Sequence, residues 1–222
     1  MSKIAFFCIP AQGHTNPTLG VIRELRARGH EVVYFSYAPL REKIEAAGAR
    51  FIPCDAYDCE AALTDRDRDR IGADVAFSTK ILVDTTLALD RMVCRELQEF
   101  RPDCIVADSM AIWGKAAAMK LGIPFVSSTT TFAFNRHSAK VMQQKGPGLL
   151  SVLLSMGKVQ KEIRRLQDRG YPVKNVLSLL QVDDSTDTVV YTSPGFQPCA
   201  ETFSDHVAFV GPSVRPAEST FE

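Results

Sequence analysis

Short apolar runs alternate with amphipathic segments along the first fifty residues. Lys3–Ile9 is almost wholly apolar, which indicates a strand covered on both faces of a sheet. Asn16 and Pro17 then predict a helix N-cap followed by proline at the first helical position, and Gly29 predicts the end of that helix. The alternation continues with a strand at Glu31–Ser36, a helix within residues 39–48 and a short strand at Ala49–Ile52.

The pattern resumes after a polar stretch at residues 54–70, for which we predict a long surface loop. Apolar positions at helical spacing then predict a long helix over residues 73–100. Further along we expect a strand at Cys104–Asp108, a helix capped by Ser109, a strand at Ile123–Ser127, a polar and aromatic loop at Ser128–Asn135, an amphipathic helix over residues 148–168, and two short strands within residues 186–193 and 205–213.

This order of elements predicts an α/β fold with a doubly wound, Rossmann-like parallel sheet and helices on both faces. We place this domain at residues 1–212. Residues 213–222 are polar and contain a proline, so we interpret them as the start of a linker between domains.

The composition narrows the functional classes. Lys plus Arg and Asp plus Glu both number 26, so no basic excess points to nucleic acid or to an anionic membrane as a partner. The sequence shows neither a signal peptide nor a membrane-spanning run, and we expect a cytoplasmic protein. The six cysteines form no C-x-x-C pair, which predicts reduced thiols in or near the core and no metal site. A disulfide in an exported protein is the alternative.

Two polar residues stand at strand ends that the topology brings together. His14 follows the first predicted strand and Asp108 ends the fourth, and these strands are neighbours in the common order 3-2-1-4-5, where ligands bind at the reversal. Strands lie about 4.8 Å apart, so the two side chains can meet. A carboxylate that orients an imidazole leaves the other nitrogen free as a general base toward a hydroxyl. Turn or capping roles fit both residues equally well.

The loop that carries His14 lacks the known phosphate-binding patterns. G-x-G-x-x-G and GxxxxGK[ST] are both absent, and Gly13 stands alone before the helix, between Pro10 and Pro17. We therefore expect neither an NAD site nor an ATP site in this loop.

Three segments carry a resemblance to a known family. Residues 4–36 contain G-H-x-N-P at 13–17 and R-G-H-x-V at 28–32. Residues 102–129 contain P-D-x-I-x-x-D followed by a helical segment and G-I-P, and residues 209–213 are FVGPS. In this order the segments resemble the amino-terminal half of the macrolide-type UDP-glycosyltransferases, which are inverting enzymes of the two-domain GT-B fold.

The resemblance implies a reaction and a site. His14, oriented by Asp108, would deprotonate a hydroxyl of a hydrophobic small-molecule acceptor, which then attacks the anomeric carbon of a UDP-hexose. UDP-glucose is the expected donor, with no metal and no other cofactor. The acceptor site implied by the family is lined by Gly13, Met110, Trp113, Phe132 and Phe134 and by the helix face Leu149–Met156. Core packing is the alternative for the apolar members of this set.

One part of the family pattern is missing. Family members are considerably longer, and the W-x-P-Q and H-x-G-x-x-S…E region of their nucleotide-sugar domain has no counterpart in this sequence. The resemblance therefore implies an acceptor-binding half, as a fragment, a truncated form or a subunit of a split enzyme, with little activity until it meets that domain in cis or in trans. A non-catalytic subunit that binds acceptor or recruits a catalytic chain is the alternative. A nucleotide-sugar epimerase half shares the fold but is disfavoured by G-H-x-N-P and Asp108.

Overall fold

The computed structural model describes residues 1–57, 64–71, 73–142, 149–175 and 185–213, without the side chains of residues 68 and 149–154. The strands in these ranges are β1 (Lys3–Phe7), β2 (Glu31–Ser36), β3 (Arg50–Pro53), β4 (Cys104–Asp108), β5 (Phe125–Thr129), β6 (Thr188–Val190) and β7 (Val207–Phe209). The helices are α1 (Gln12–Ala27), α2 (Arg41–Ala46), α3 (Asp65–Arg70), α4 (Val75–Phe100), α5 (Ile112–Leu121), α6 (Arg136–Val141) and α7 (Leu149–Gln167).

The strands form one seven-stranded parallel sheet in the order β3-β2-β1-β4-β5-β6-β7. The predicted doubly wound fold is therefore confirmed, and the strand order reverses between β1 and β4 as expected. In the register of these two strands, Phe7 lies opposite Ala107. The next residue of each strand line, Cys8 and Asp108, consequently lies at the carboxyl edge of the sheet.

Each face of the sheet is covered by different helices, because successive side chains of a strand point to opposite faces. One face, with Ala5 and Phe7, packs against apolar residues of α4 and α5. The other face, with Phe6 and Tyr34, packs against apolar residues of α1 and α2. Stacked aromatic pairs link β1 to β2 on both faces, Phe6 with Tyr34 and Phe7 with Phe35. Asp108 belongs to the α1 face, since its strand neighbour Ala107 faces α4 and α5.

Helix α1 begins earlier than the sequence predicted. Its N-cap is Ala11, without a side-chain hydrogen bond, and Pro17 lies inside the helix rather than at its first position. Pro17 has no backbone N–H, so the helix lacks the hydrogen bond to the carbonyl of Gly13. The preceding turn still forms, because the N–H of Thr15 donates to the carbonyl of Ala11 at 3.0 Å. His14 is consequently the third residue of the helix and not part of a loop before it.

Other boundaries differ by small amounts. β3 and β5 begin later than predicted, and α5 begins at Ile112 with Ala111 as N-cap, so Ser109 does not cap it. The predicted surface loop at residues 54–70 contains a helical turn at Asp55–Tyr57 and the short helix α3. Helix α6 was not predicted, although Asn135 and Ser138 form a capping box at its start.

The carboxyl-terminal segment runs close to α1. A Cβ added to Gly20 would lie 2.7 Å from Oγ of Ser213, so the glycine permits the approach of residues 211–213. Residues 214–222 lie outside the described residues, and the division into a domain at 1–212 and a linker at 213–222 stays a prediction. Among the described residues, no helix has the length and apolar character needed to cross a membrane.

Candidate active site

The backbone of the first turn of α1 fixes the position of His14. β1 ends at Phe7, and Ala11 is extended, so the chain turns into the helix directly above the end of the strand. The N–H of His14 donates to the carbonyl of Ala11 at 3.1 Å. The imidazole is thereby carried to the carboxyl edge of the sheet on its α1 face.

Asp108 is the last residue of β4 and lies on the same face. Its Oδ2 atom is 2.8 Å from Nδ1 of His14, across 94 residues of sequence. Its Oδ1 atom accepts the backbone N–H of Met110 at 2.9 Å, which fixes the rotation of the carboxylate. The Asp108 side chain is 1% exposed and that of His14 is 20% exposed, so the imidazole covers the carboxylate while keeping contact with the surface.

This geometry assigns the ring nitrogens. A carboxylate can only accept, so Nδ1 of the neutral imidazole carries the hydrogen and Nε2 keeps its lone pair. The hydrogen bond to Asp108 raises the pKa of His14 above its ordinary value, against the opposing effect of burial, and the charge of Asp108 adds to the increase. The pair can therefore take a proton at Nε2 and hold it.

Thr130 is a third member of the site that sequence reasoning missed. Its Oγ1 atom lies 3.0 Å from the same Nδ1 of His14 that contacts Asp108. Thr130 follows directly after β5, the strand next to β4. It is one of three consecutive threonines, and nothing in the sequence distinguishes it from the other two.

A buried set of polar side chains lies beneath the first turns of α1. The Thr15 hydroxyl contacts the sulfur of Cys8 at 3.6 Å, and the Thr18 hydroxyl lies 3.0 Å from the Tyr34 hydroxyl. Burial raises the pKa of the Cys8 thiol to about 12, with a further contribution from the Asp108 charge, and burial also raises the pKa of Tyr34. Cys8 and Tyr34 therefore stay neutral near pH 7. Their contacts with Thr15 and Thr18 link α1 to the sheet.

Three of the predicted acceptor residues lie at the surface near this edge. Met110, two residues beyond Asp108, is 43% exposed, and Phe134 is 37% exposed. Gly13 is exposed, and open space surrounds the position of a Cβ there. Phe132, two residues beyond Thr130, is partly exposed and contacts Phe196, with 5.5 Å between ring centroids.

Trp113 does not share this exposure. Its side chain is 5% exposed and packs in the core between the sheet and α4, together with Phe7 and Phe35. The indole fills the core because the first turn of α5 lies flat against β1 and β4, so the structure contradicts a lining role for Trp113. The helix face Leu149–Met156 was also predicted to line the acceptor site. The side chains of residues 149–154 are not among those that the structure describes, and Met156 is exposed.

The loop that carries Thr130 and Phe132 is held by a later segment. The N–H of Tyr191 donates to the carbonyl of Thr129 at 3.0 Å, and the Thr192 hydroxyl donates to the carbonyl of Thr131 at 3.0 Å. The buried side-chain amide of Gln197 accepts the N–H of Ala133 and donates to its carbonyl, at 2.9 and 3.0 Å. The loop is therefore a fixed part of the site.

Two other features lie apart from this site. A groove of about 840 Å³ runs between the second half of α1 and residues 210–213, and neither His14 nor Asp108 lines it. Within the described ranges, no group of three or more His, Cys, Asp or Glu side chains is placed to hold a metal ion. Five cysteines fall in those ranges and all are free thiols.

The described residues form a doubly wound α/β domain in which His14 and Asp108 are paired at the carboxyl edge of the sheet. Comparison with protein families identifies the class: residues 12–153 match the model of the glycosyl transferase 4-like domain. Since this match covers more than half of the chain, the protein belongs to that family.

Individual relatives are macrolide glycosyltransferases and similar enzymes. The chain is 33% identical to demethyllactenocin mycarosyltransferase of Streptomyces fradiae, over 96% of this chain and 47% of the relative. It is 30% identical to the oleandomycin glycosyltransferase of Streptomyces antibioticus, over 57% of this chain and 29% of the relative. The resemblance found in the sequence is thus confirmed. Where nearly all of this chain is matched, it spans about half the length of the relative.

Solved structures show the same architecture. The calicheamicin glycosyltransferase CalG4 matches with a TM-score of 0.71 and 26% identity, over 96% of this chain and 53% of that one. The glycosyltransferase of kitacinnamycin matches with a TM-score of 0.75 and 23% identity, over 100% of this chain and 54% of that one. The described sheet therefore corresponds to one half of a GT-B glycosyltransferase.

Proposed function

We propose that this chain is the acceptor-binding half of an inverting, UDP-sugar-dependent glycosyltransferase in which His14 is the general base. The observation that carries the proposal is the 2.8 Å contact between Nδ1 of His14 and Oδ2 of Asp108, which leaves Nε2 without the ring hydrogen in an imidazole that is 20% exposed. This arrangement matches the requirements of a base for an alcohol or phenol.

The proposed reaction is a single displacement. The acceptor hydroxyl gives its proton to Nε2 of His14 while its oxygen forms a bond to the anomeric carbon of the sugar. The bond from that carbon to the diphosphate breaks, and the leaving diphosphate takes the electron pair. Attack from the opposite face inverts the configuration. Asp108 stabilises the imidazolium that results.

The proposed acceptor surface consists of Gly13, Met110, Phe132 and Phe134. The three apolar side chains among them favour a hydrophobic acceptor, and their exposure near the edge that carries Asp108 and Thr130 supports the proposal. Trp113 is left out of this set because it lies in the core.

The donor is proposed to be a nucleoside diphosphate sugar bound mainly by a second domain. One relative, 30% identical over 96% of this chain, is described as the uncharacterized UDP-glucosyltransferase YojK of Bacillus subtilis. The VinC glycosyltransferase, a structural neighbour with a TM-score of 0.61 and 16% identity, was solved with DTDP. These descriptions support the donor class, and glucose as the sugar stays a prediction.

The test joins this chain to the carboxyl-terminal half of a family member, in one polypeptide or as a mixture. The assay screens hydrophobic alcohols and phenols with UDP-glucose. We expect transfer with the combined halves, little with this chain alone, and none with His14→Ala in a combined enzyme whose circular dichroism is unchanged. The exposed His137 supplies the matched control, and His137→Ala should keep full activity.

Three outcomes would contradict the proposal. Transfer by a folded His14→Ala enzyme would remove His14 from the role of base. Robust turnover of UDP-glucose by this chain alone would show that the donor site does not require a second domain. Acceptor binding without transfer in any combination would favour the non-catalytic subunit instead.

A further inference from the structure

Thr130 and Asp108 approach the same nitrogen of His14 from two different strand ends. Oδ2 of Asp108 lies 2.8 Å from Nδ1, and Oγ1 of Thr130 lies 3.0 Å from it. Because the carboxylate can only accept, the hydrogen resides on Nδ1, and the threonine oxygen can then act only as a second acceptor of that hydrogen.

We propose that Thr130 is a positioning residue for the base, whose hydroxyl oxygen shares the Nδ1–H of His14 with Asp108 and so fixes the plane of the imidazole. A single acceptor leaves the ring free to tilt about its hydrogen bond, whereas two acceptors on one hydrogen define the direction of the ring. Nε2, on the opposite side of the ring, is thereby aimed at one point. This inference rests on the proposed function, since aiming matters only if Nε2 takes a proton.

The surroundings of Thr130 support a positioning role. Its backbone neighbours are held on both sides, by Tyr191 at Thr129 and by Thr192 at Thr131. Gln197, 4% exposed, adds two hydrogen bonds to Ala133. These contacts hold the backbone on either side of Thr130 and so restrict the position of its side chain.

The alternative hydrogen-bonding pattern makes an opposite prediction. If the Thr130 hydroxyl donated to a bare Nδ1, then Oδ2 and Nδ1 would be two acceptors at 2.8 Å, and the proton would move to Nε2. Nε2 would then be unable to act as a base. The two patterns are distinguished by the effect of removing the hydroxyl on the protonation of the ring.

The test uses this chain without donor or second domain. The four histidines are labelled with nitrogen-15 and titrated by NMR, and His14→Gln identifies the His14 signals. Thr130→Val removes the hydroxyl at nearly constant volume, Thr130→Ser keeps it, and the exposed neighbour Thr131→Val is the matched control. Circular dichroism and thermal unfolding confirm that each variant folds.

We expect Thr130→Val to lower the pKa of His14, because an acceptor of the Nδ1–H stabilises the imidazolium more than the neutral ring, and Thr130→Ser to restore it. The nitrogen shifts of the neutral ring should report hydrogen on Nδ1 in the unsubstituted chain. In the combined enzyme, Thr130→Val should lower kcat by about tenfold with KM nearly unchanged.

An unchanged or raised pKa of His14 in a folded Thr130→Val chain would overturn the inference, as would a failure of Thr130→Ser to restore it. The NMR result does not depend on sugar transfer. If the combined enzyme is inactive while the titration behaves as expected, the proposed function fails and the contact between Thr130 and His14 stands. If transfer requires His14 but Thr130→Val leaves the pKa of His14 unchanged, the proposed function stands and the positioning role of Thr130 fails.

Discussion

Oδ2 of Asp108 and Nδ1 of His14 lie 2.8 Å apart, and the carboxylate is almost fully covered by the protein while the imidazole is partly exposed. The hydrogen bond favours the protonated imidazole in the folded state and so raises the pKa of His14. This single contact couples the stability of the fold to the protonation of the proposed base.

The first prediction concerns stability against pH. A raised pKa in the folded state contributes stability that is complete below the ordinary histidine pKa and is lost as the pH rises through the folded-state value. His14→Gln should therefore cost more free energy of unfolding at about pH 5.5 than at about pH 9, measured by urea titration. His137→Gln provides the reference for a surface histidine. An equal cost at both pH values would contradict the raised pKa.

Asp108→Asn should impair the base without disturbing its surroundings. The amide can donate to Nδ1 and so stabilise the tautomer whose Nε2 carries the hydrogen. We expect kcat/KM of the combined enzyme to fall by about 10²- to 10⁴-fold. The surface pair of His206 and Asp187, 2.7 Å apart, supplies a matched control. Asp187→Asn should leave kcat/KM within about twofold, and an equal loss in both variants would argue against a special role of Asp108.

Phe132→Ala should weaken acceptor binding. Phe132 lies two residues beyond Thr130 and its ring contacts the strongly exposed Phe196, so truncation removes apolar surface from the proposed acceptor site. We expect KM for a hydrophobic acceptor to rise about tenfold with kcat little changed. Phe203→Ala, which disrupts the contact with Phe209, is the control. An unchanged KM in Phe132→Ala would remove this ring from the proposed acceptor surface.

Gly114→Ala tests how closely α5 must approach the sheet. A Cβ at Gly114 would lie 2.6 Å from the Cβ of Ala107 and 2.8 Å from that of Phe7, both in rigid strands. We expect a loss of about 1–3 kcal/mol in the free energy of unfolding, measured in urea. Gly157 in α7 has open space around it, so Gly157→Ala should be neutral or stabilise by up to about 1 kcal/mol. Equal stability of the two variants would contradict the close approach.

Thiol labelling reports the burial beneath His14. Burial raises the pKa of Cys8 and of Cys54 to about 12, so the reactive thiolate is scarce at both positions. With iodoacetamide near pH 8, mass spectrometry should find both unmodified in the folded chain and modified in urea. Cys199, which is partly exposed, should react in the folded chain. Labelling of Cys8 as fast as Cys199 would show that the first turn of α1 opens readily.

The sequence predicted those parts of the fold where one physical requirement dominates. β2 and β4 have the predicted bounds because their apolar runs must be buried on both faces. The contact between His14 and Asp108 could be foreseen because strand order alone brings two strand ends together. The predicted start of α1 was wrong because the helix tolerates Pro17 in its interior, where the proline removes only one backbone hydrogen bond.

Other features depend on packing that no local pattern reveals. Among three consecutive threonines, Thr130 is the one that contacts His14, because β5 ends at Thr129. Gln197 acts through hydrogen bonds to Ala133, 64 residues earlier. Trp113 was assigned to the acceptor surface because the family resemblance places that surface in the segments that follow the strands, and the close packing of α5 places the indole in the core instead.

The pairing of β1 with β4 has a consequence for refolding experiments. Sliding β4 by one residue would carry Asp108 to the side of the sheet that faces α4 and α5, and the imidazole would lose its partner. A compact but misregistered intermediate would thus lack the hydrogen bond that raises the pKa of His14. The NMR titration of His14 can accordingly report when β1 and β4 have reached their native register.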